Sequence, residues 1–424
     1  MGRHGVTVLA LVVVLAGLAL PVQAAADLRP GTVLRVDATA LPAPYAGVSI
    51  ANSPERIART AAMMPRVADG WQVSLFAPAL LHARWLAVAP DGAVLVSESA
   101  AGRVTILRDG NHDGEAEEQQ VLAEGLVRPH GLAFAHGGVY IADTRAVWFA
   151  PYPVETLPVS LHQVTPDGAL GSGDGHWTRT LAVSPDQKTL YVAIGSRSNI
   201  SEDPLPRASV QAFTLSEDGR KVRDQQTWAS GLRNPVGLAF QPGTGHLWTV
   251  VNERDGLGDG LVPDYLARLE EGSFFGWPYS YIGSHPQPDL PAVRRPAPEV
   301  AALIARAVVP PLLFASHSAP LGLVFDRTGD AIVALHGSWN AEAPRGYMVV
   351  RVPFRDGAPV GDYQVLVSGF RLGDSPDGAA RVWGRPVGLA WAADGALLVS
   401  DDVGQTIWRV SRKGGGAVGG KAGR

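Results

Sequence analysis

Gly231–Leu232–Arg233–Asn234–Pro235–Val236–Gly237–Leu238–Ala239–Phe240, answered by Leu247–Trp248–Thr249–Val250, decides how this chain folds. Two apolar, β-prone runs flank a turn rich in Pro and Gly, the pattern of a tight antiparallel strand pair. The same phrase occurs five more times. It reads Arg84–Trp85–Leu86–Ala87–Val88 with Val94–Leu95–Val96, then Arg128–Pro129–His130–Gly131–Leu132–Ala133–Phe134 with Val139–Tyr140–Ile141. It returns as Arg179–Thr180–Leu181–Ala182–Val183 with Leu190–Tyr191–Val192, and as Pro320–Leu321–Gly322–Leu323–Val324–Phe325 with Ala331–Ile332–Val333. The last copy is Arg385–Pro386–Val387–Gly388–Leu389–Ala390–Trp391 with Leu397–Leu398–Val399. Leu86, Leu132, Leu181 and Leu238 follow one another at roughly 46 to 57 residues, the length of a four-stranded propeller blade. The spacing predicts an all-β protein, a six-bladed β-propeller. Circular closure removes the open sheet edges that invite aggregation.

Outward from the repeats, the domain is expected over 71–411, opening with the alternating strand Trp71–Gln72–Val73–Ser74–Leu75–Phe76. Residues 25–70, rich in Ala and Pro, read as an extended lead-in, and the Gly-rich basic tail 412–424 as disordered. Helical periodicity is almost absent, with a turn or two expected only at Pro263 to Glu271. The longest insertion, about residues 256–316, carries a Pro-rich stretch. Arg3 and His4, an apolar run from Val6 to Leu20 and Val22–Gln23–Ala24 read as a secretory signal peptide over 1–24, so a periplasmic or secreted location is expected.

Composition narrows the function. The 424 residues include 49 Gly and 33 Pro, no Cys, and a net charge of −4. The small charge disfavours nucleic acid as a partner. The missing cysteine excludes thiolate nucleophiles, Cys-ligated zinc and covalent c-type haem. No segment after the leader is long and apolar enough for a membrane span.

The heads of the first strands carry polar groups. Two residues before the opening Leu stand Arg84, His130 and Arg179; four before it stand His82, Arg128, Trp177, Asn234 and Arg385. His176 and Arg233 stand five before it, and His317 six. In a propeller these heads converge at one mouth of the central channel. Each alone is more often a solvated or salt-bridged residue, but a like-signed cluster in a low-dielectric funnel calls for an anionic ligand. The predicted shape is a cup with a polar floor. In Gly175–His176–Trp177–Thr178–Arg179, His176 is the candidate base, since imidazole titrates near neutrality. Asn252–Glu253–Arg254–Asp255–Gly256–Leu257–Gly258–Asp259 suits a hard cation such as calcium, or equally a solvated hairpin. Asp109, Asn111 and Asp113 alternate as in calcium loops, but Gln120 stands where a bidentate Glu is needed, so a surface turn is the alternative.

The run 231–240, together with Phe275–Gly276–Trp277–Pro278 and Gly173–Asp174–Gly175–His176, resembles the soluble quinoprotein glucose dehydrogenases and related L-sorbosone dehydrogenases. His336–Gly337–Ser338–Trp339–Asn340 and Val382–Trp383–Gly384–Arg385–Pro386–Val387–Gly388–Leu389 are similar to the sorbosone branch in particular. The resemblance covers roughly 70–411 and implies a propeller holding pyrroloquinoline quinone (PQQ) and calcium, oxidising a sugar, a sugar aldehyde or a related alcohol. It implies His176 as general base, with Arg233 over the reacting quinone oxygens and Asn234 beside it. Arg385 would pair with cofactor carboxylates, with Arg128, His130 and Arg179 also at the cofactor. The backbone carbonyls of Glu253 and Arg254 would hold calcium. Electrons would pass to an external acceptor, a cytochrome or quinone. Two departures stand out. Gly195–Ser196–Arg197 stands where the glucose enzymes carry an acidic residue near the base, and their cofactor lysine has no match near Ser338–Trp339. A calcium-dependent lactonase-like hydrolase and a non-catalytic sugar-binding propeller are the rival readings.

Overall fold

The computed structural model describes residues 27–413; the leader expected over 1–24 and the tail from 414 lie outside the described residues. Each sequence repeat opens a sheet whose first three strands pair antiparallel in chain order. The first sheet is Ala83–Val88, Val94–Glu98, Arg103–Arg108 and Glu118–Ala123. The second opens with Leu132–Ala135, the third with Arg179–Val183 and the fourth with Asn234–Phe240. The fifth opens with Pro320–Phe325 and the sixth with Pro386–Trp391. These six opening strands pack side by side in chain order, and the sixth returns to the first. The fold is all-β, with two short helices, Pro291–Arg294 and Pro298–Ala305, among the described residues.

Glycines let the opening strands approach so closely. A Cβ on Gly131 would stand 2.3 Å from Arg179 O, on Gly322 2.2 Å from Val387 O, and on Gly388 2.2 Å from Arg84 O. Each is a contact with the opening strand of the next sheet, which explains why Gly–Leu recurs at the head of four of the six phrases. Apolar clusters fill the spaces between neighbouring sheets. Val192 and Leu190 meet Tyr140 and Phe149 between the second and third sheets, and Leu389 and Val399 meet Ile332 and Val349 between the fifth and sixth.

Two expectations change. Tyr265–Leu269 is the third strand of the fourth sheet, pairing with Leu247–Asn252 in the register Leu247↔Leu269 and Val251↔Tyr265, so no helical turn forms there. Both helices instead start at prolines of the insertion, whose fixed φ and missing N–H suit a first helical turn. The strand Trp71–Ala77, which opens the domain, lies in the sixth sheet, where it pairs with Thr406–Arg412 and joins the two ends of the domain. The segment before it is no free lead-in. Val33–Leu34 and Arg66–Val67 pair with Tyr363–Ser368, and Glu55–Arg56 runs parallel to Ala380–Val382.

Candidate active site

Four opening strands shift register at their heads: between Ala83 and Leu86, Pro235 and Leu238, Pro320 and Leu323, and Pro386 and Leu389. Bulges re-aim side chains, and they cluster beside active sites. Here they turn Val236, Leu321 and Val387 into a small apolar cluster between the converging strands. They also leave Arg84, Arg233, Asn234, His317 and Arg385 around a cavity of about 440 Å³ that Val236 and Leu321 line too. The floor is therefore partly apolar and the polar groups stand on the walls. The second and third sheets pair without a shift from Leu132 and Arg179.

That difference sorts the expected residues. Regular pairing keeps Arg179 in phase with Leu181, so its side chain is buried, donating to the carbonyls of Ser172, His176 and Thr178. Burial, then the neighbouring Arg207, press its pKa down to about 9. His130 is fully buried against Trp85 and Trp177. Arg128 is exposed and lies over the Trp177 ring. None of the three lines the cavity: Arg179 and His130 are buried in the scaffold, and Arg128 stands exposed over the ring of Trp177, which does line it.

On one wall, His176 Nδ1 lies 2.9 Å from the carbonyl and 3.0 Å from the hydroxyl of Ser196. That hydroxyl donates to Ser198 O at 2.7 Å, so Ser196 offers lone pairs on both oxygens. Nδ1 must then carry the ring proton, leaving a lone pair on Nε2. Burial, then the Arg233 guanidinium, push the imidazole down to about 3, so the ring is neutral at working pH. Ser196 thus orients the candidate base, at the position already noted as a departure from the glucose enzymes. Arg197 turns outward to Asp174.

Beside it Arg233 donates to Glu253 O at 2.7 Å, to Asn199 and to Asp255 at 3.1 Å. Asp255 also accepts from Asn340 and approaches His317; burial opposes its ionisation, but these partners hold it below the usual carboxylate range. On the far wall Asp402 accepts from Arg84 at 2.7 Å and lies 3.0 Å from His336 Nε2. Arg385 donates to the carbonyls of His336 and Gly337. Burial, then the Arg385 charge, press His336 down to about 3, so it meets Asp402 as a neutral Nε2–H donor. Burial raises Glu253 to about 7 and Asp264 to about 6. Four arginines, Arg56, Arg84, Arg233 and Arg385, therefore share the wall with two firmly ionised carboxylates, Asp255 and Asp402.

The wall keeps polar atoms without partners. Arg84 Nε and Asn234 Oδ1 are buried and bond to nothing among the described residues. A cationic excess plus an orphaned guanidinium N–H fits a ligand carrying carboxylates. The expected calcium position fits less well. Glu253 O already accepts from Arg233, and Arg254 O accepts from Val262 N–H at 3.4 Å, while the Arg254 side chain runs to Gln287 and Asp289. Asp109 and Asp113 come together with Glu117, not Gln120, their oxygens within 4.8 Å of one another, but in a turn away from the cavity. Asn111 there accepts the Asp113 N–H.

Reading the opening strands alone missed His336, Asp402, Asp255, Ser196 and Arg56. The signal for Asp402 lay one strand further on. Glu98, Asp143 and Asp401 recur at or just after the ends of second strands, where each accepts backbone N–H groups. Asp402 follows the last of these.

A protein named pyrroloquinoline quinone-dependent pyranose dehydrogenase, from Coprinopsis cinerea, is 26% identical over 413 residues, covering 83% of this chain and 55% of its own length. This chain thus spans about half of that relative. A pyrroloquinoline quinone-dependent sugar dehydrogenase from Hypocrea jecorina is 26% identical over 80% of this chain and 87% of its own. Among solved structures, the holo form of the Coprinopsis cinerea pyranose dehydrogenase PQQ domain superposes with a TM-score of 0.68 at 24% identity, covering 85% of this chain and 100% of that one. The calcium structure of a Trichoderma reesei carbohydrate-active enzyme of family AA12 gives 0.70 at 24% identity, over 84% and 98%. These two likenesses speak for the fold. The family described as TrAA12-like matches residues 65–262 and 303–413, most of the domain, and the chain belongs to that family.

Proposed function

We propose that this protein is a quinoprotein sugar dehydrogenase built as a six-bladed propeller, one blade per sheet. It acts in the periplasm or outside the cell on a sugar, a sugar aldehyde hydrate of the sorbosone type or a related alcohol. One observation carries the reading. A neutral imidazole, His176, presents its Nε2 lone pair beside Arg233 and Asn234 in a cavity with more guanidinium than carboxylate charge. The dehydrogenase names of the relatives support it.

Pyrroloquinoline quinone, when bound, supplies a two-electron acceptor for the hydride. The protein does the rest. His176 Nε2 accepts the proton of the substrate hydroxyl, and Ser196 holds the ring tautomer that makes this possible. Arg233, kept in place by Glu253 O, Asn199 and Asp255, sets a positive charge where negative charge develops. Arg84 and Arg385 fit the cofactor carboxylates. No step here passes through calcium at Glu253 and Arg254, where the Glu253 carbonyl already accepts from Arg233. The electrons leave to an external acceptor.

The hydrolase reading needs carboxylates free to ligate a metal. Asp255, Asp264 and Asp402 are instead each engaged by protein donors. Reconstitution decides the matter. The full chain titrated with pyrroloquinoline quinone, with and without calcium, should bind it and reduce an artificial dye with an aldose or an osone. Absence of both binding and dye reduction across such a panel, or lactone hydrolysis by quinone-free protein, rejects the dehydrogenase.

A further inference from the structure

One cation on the cavity wall comes from outside the repeats. Arg56 lies on Glu55–Arg56, which runs parallel to Ala380–Val382 in the register Arg56↔Val382, and the Ile57 N–H donates to Val382 O at 2.8 Å. Val382 stands three residues before Arg385, so this backbone register sets Arg56 next to Arg385. The segment is fastened on its other side as well. The Asn52 N–H donates to Trp339 O at 2.7 Å, and its side-chain amide donates to the carbonyls of Ala341 at 3.0 Å and Gly378 at 3.2 Å. Ile57 and Met63 pack on the core between the fifth and sixth sheets. Residues 52–57 therefore form a strap across the two loops that bring Trp339, Asn340 and Arg385 to the cavity.

The charges around the strap do not balance. Among the described residues neither Arg56 nor Arg385 has a carboxylate within ion-pair distance, and Arg385 spends its donors on the carbonyls of His336 and Gly337. The carboxylate on this wall, Asp402, already answers Arg84, His336 and His82. Glu55 is turned away to Arg381. Two adjacent guanidinium groups facing one cavity repel each other until an anion sits between them. Planar guanidinium forks match carboxylate oxygens in number and direction.

We propose that Arg56 is a carboxylate-binding residue of this site, brought in by the N-terminal strap, and that it grips a ligand carboxylate together with Arg385. The strap is then part of the binding site rather than a leader to the domain. The ligand's identity rests on the function proposed above. The carboxylate belongs either to the quinone cofactor or to an acidic sugar.

Binding of pyrroloquinoline quinone to the full chain, followed by calorimetry, tests this with R56A, R56K and N52A. R56A should weaken binding about tenfold, the size of one lost charge-assisted contact, with R56K less affected and the deficit shrinking at high salt. N52A should act in the same direction through the loosened strap. Arg56 is exposed, so the thermal midpoint of R56A should match the parent. If quinone binding is unchanged but KM for a uronate rises about tenfold while KM for the neutral sugar holds, the carboxylate is the substrate's and the assignment of Arg56 stands. Unchanged quinone affinity and unchanged KM for both sugars overturn it. Benzene-1,2,4-tricarboxylate, a planar tricarboxylate without redox chemistry, separates the two claims. A parent that binds this probe but not the quinone, with R56A losing the probe, keeps Arg56 and rejects the dehydrogenase. A parent that binds neither rejects both.

Discussion

Asp402 Oδ2 stands 2.7 Å from Arg84 Nη1, joining residues 318 positions apart at the seam between the sixth and first sheets. Both side chains are almost fully buried, and the same carboxylate receives His336 Nε2–H. Burial works against the charge on Asp402, yet these neighbours hold it well below the ordinary carboxylate range. D402N leaves Arg84 as an uncompensated buried charge. It should lower unfolding free energy by about 3 kcal/mol, read from urea denaturation. An unchanged midpoint would show that the pair does not hold the seam.

The proposed base has its own pH signature. His176, at about 3 through burial and the Arg233 charge, holds its free lone pair at any pH above that value. The kcat/KM profile should therefore lack a step near 6.5 and fall only toward pH 3 to 4. H176A should cost about 10² to 10⁴ in kcat/KM, the usual range for a lost general base. S196A keeps the backbone carbonyl that accepts from Nδ1, so the tautomer should hold and kcat should fall only a few-fold, about 1 kcal/mol for one lost hydrogen bond, without a rise in KM.

Glu253 gives a stability test with a defined sign. Burial raises its folded-state pKa to about 7, above the unfolded value, so its protonated form stabilises the fold at low pH. That contribution is lost as pH rises through about 7. E253Q cannot ionise and escapes the loss. The difference in thermal midpoint, variant minus parent, should become more positive between pH 5.5 and pH 8.5, measured by calorimetry. A constant or falling difference contradicts the assignment.

Gly388 tests the closure of the ring. Its missing Cβ would stand 2.2 Å from Arg84 O and 3.1 Å from Trp85 Cα, backbone of the first sheet that cannot swing aside. G388A should destabilise by about 1 to 3 kcal/mol, the cost of overpacking. Because Arg84 lies on the displaced strand, ligand affinity should fall with it. Gly110, whose added Cβ meets nothing within 4 Å and whose φ is not positive, is the control for crowding.

Much of the scaffold could be read in advance because it is local. Leu86 to Val96 or Leu181 to Val192 pair across short turns, so alternation and Pro/Gly punctuation suffice to find them. The candidate base and Arg233, Asn234 and Arg385 could be found because they stand at constant offsets from those strands. Arg179 and His130 shared the offset of Arg84 but not its fate. No periodicity shows that the first strand bulges between Ala83 and Leu86 while the third runs regular.

The chain alone therefore determined the repeating all-β order and the residues at each strand head, since hydrogen-bonded hairpins form between neighbours in sequence. Tertiary structure decided which of those heads face the cavity. It also decided that Trp71–Ala77 joins Thr406–Arg412, that Asp402 answers Arg84, and that Arg56 arrives beside Arg385. The reason is physical. Those contacts join segments hundreds of residues apart, and they exist only once the ring of sheets has brought its two ends together.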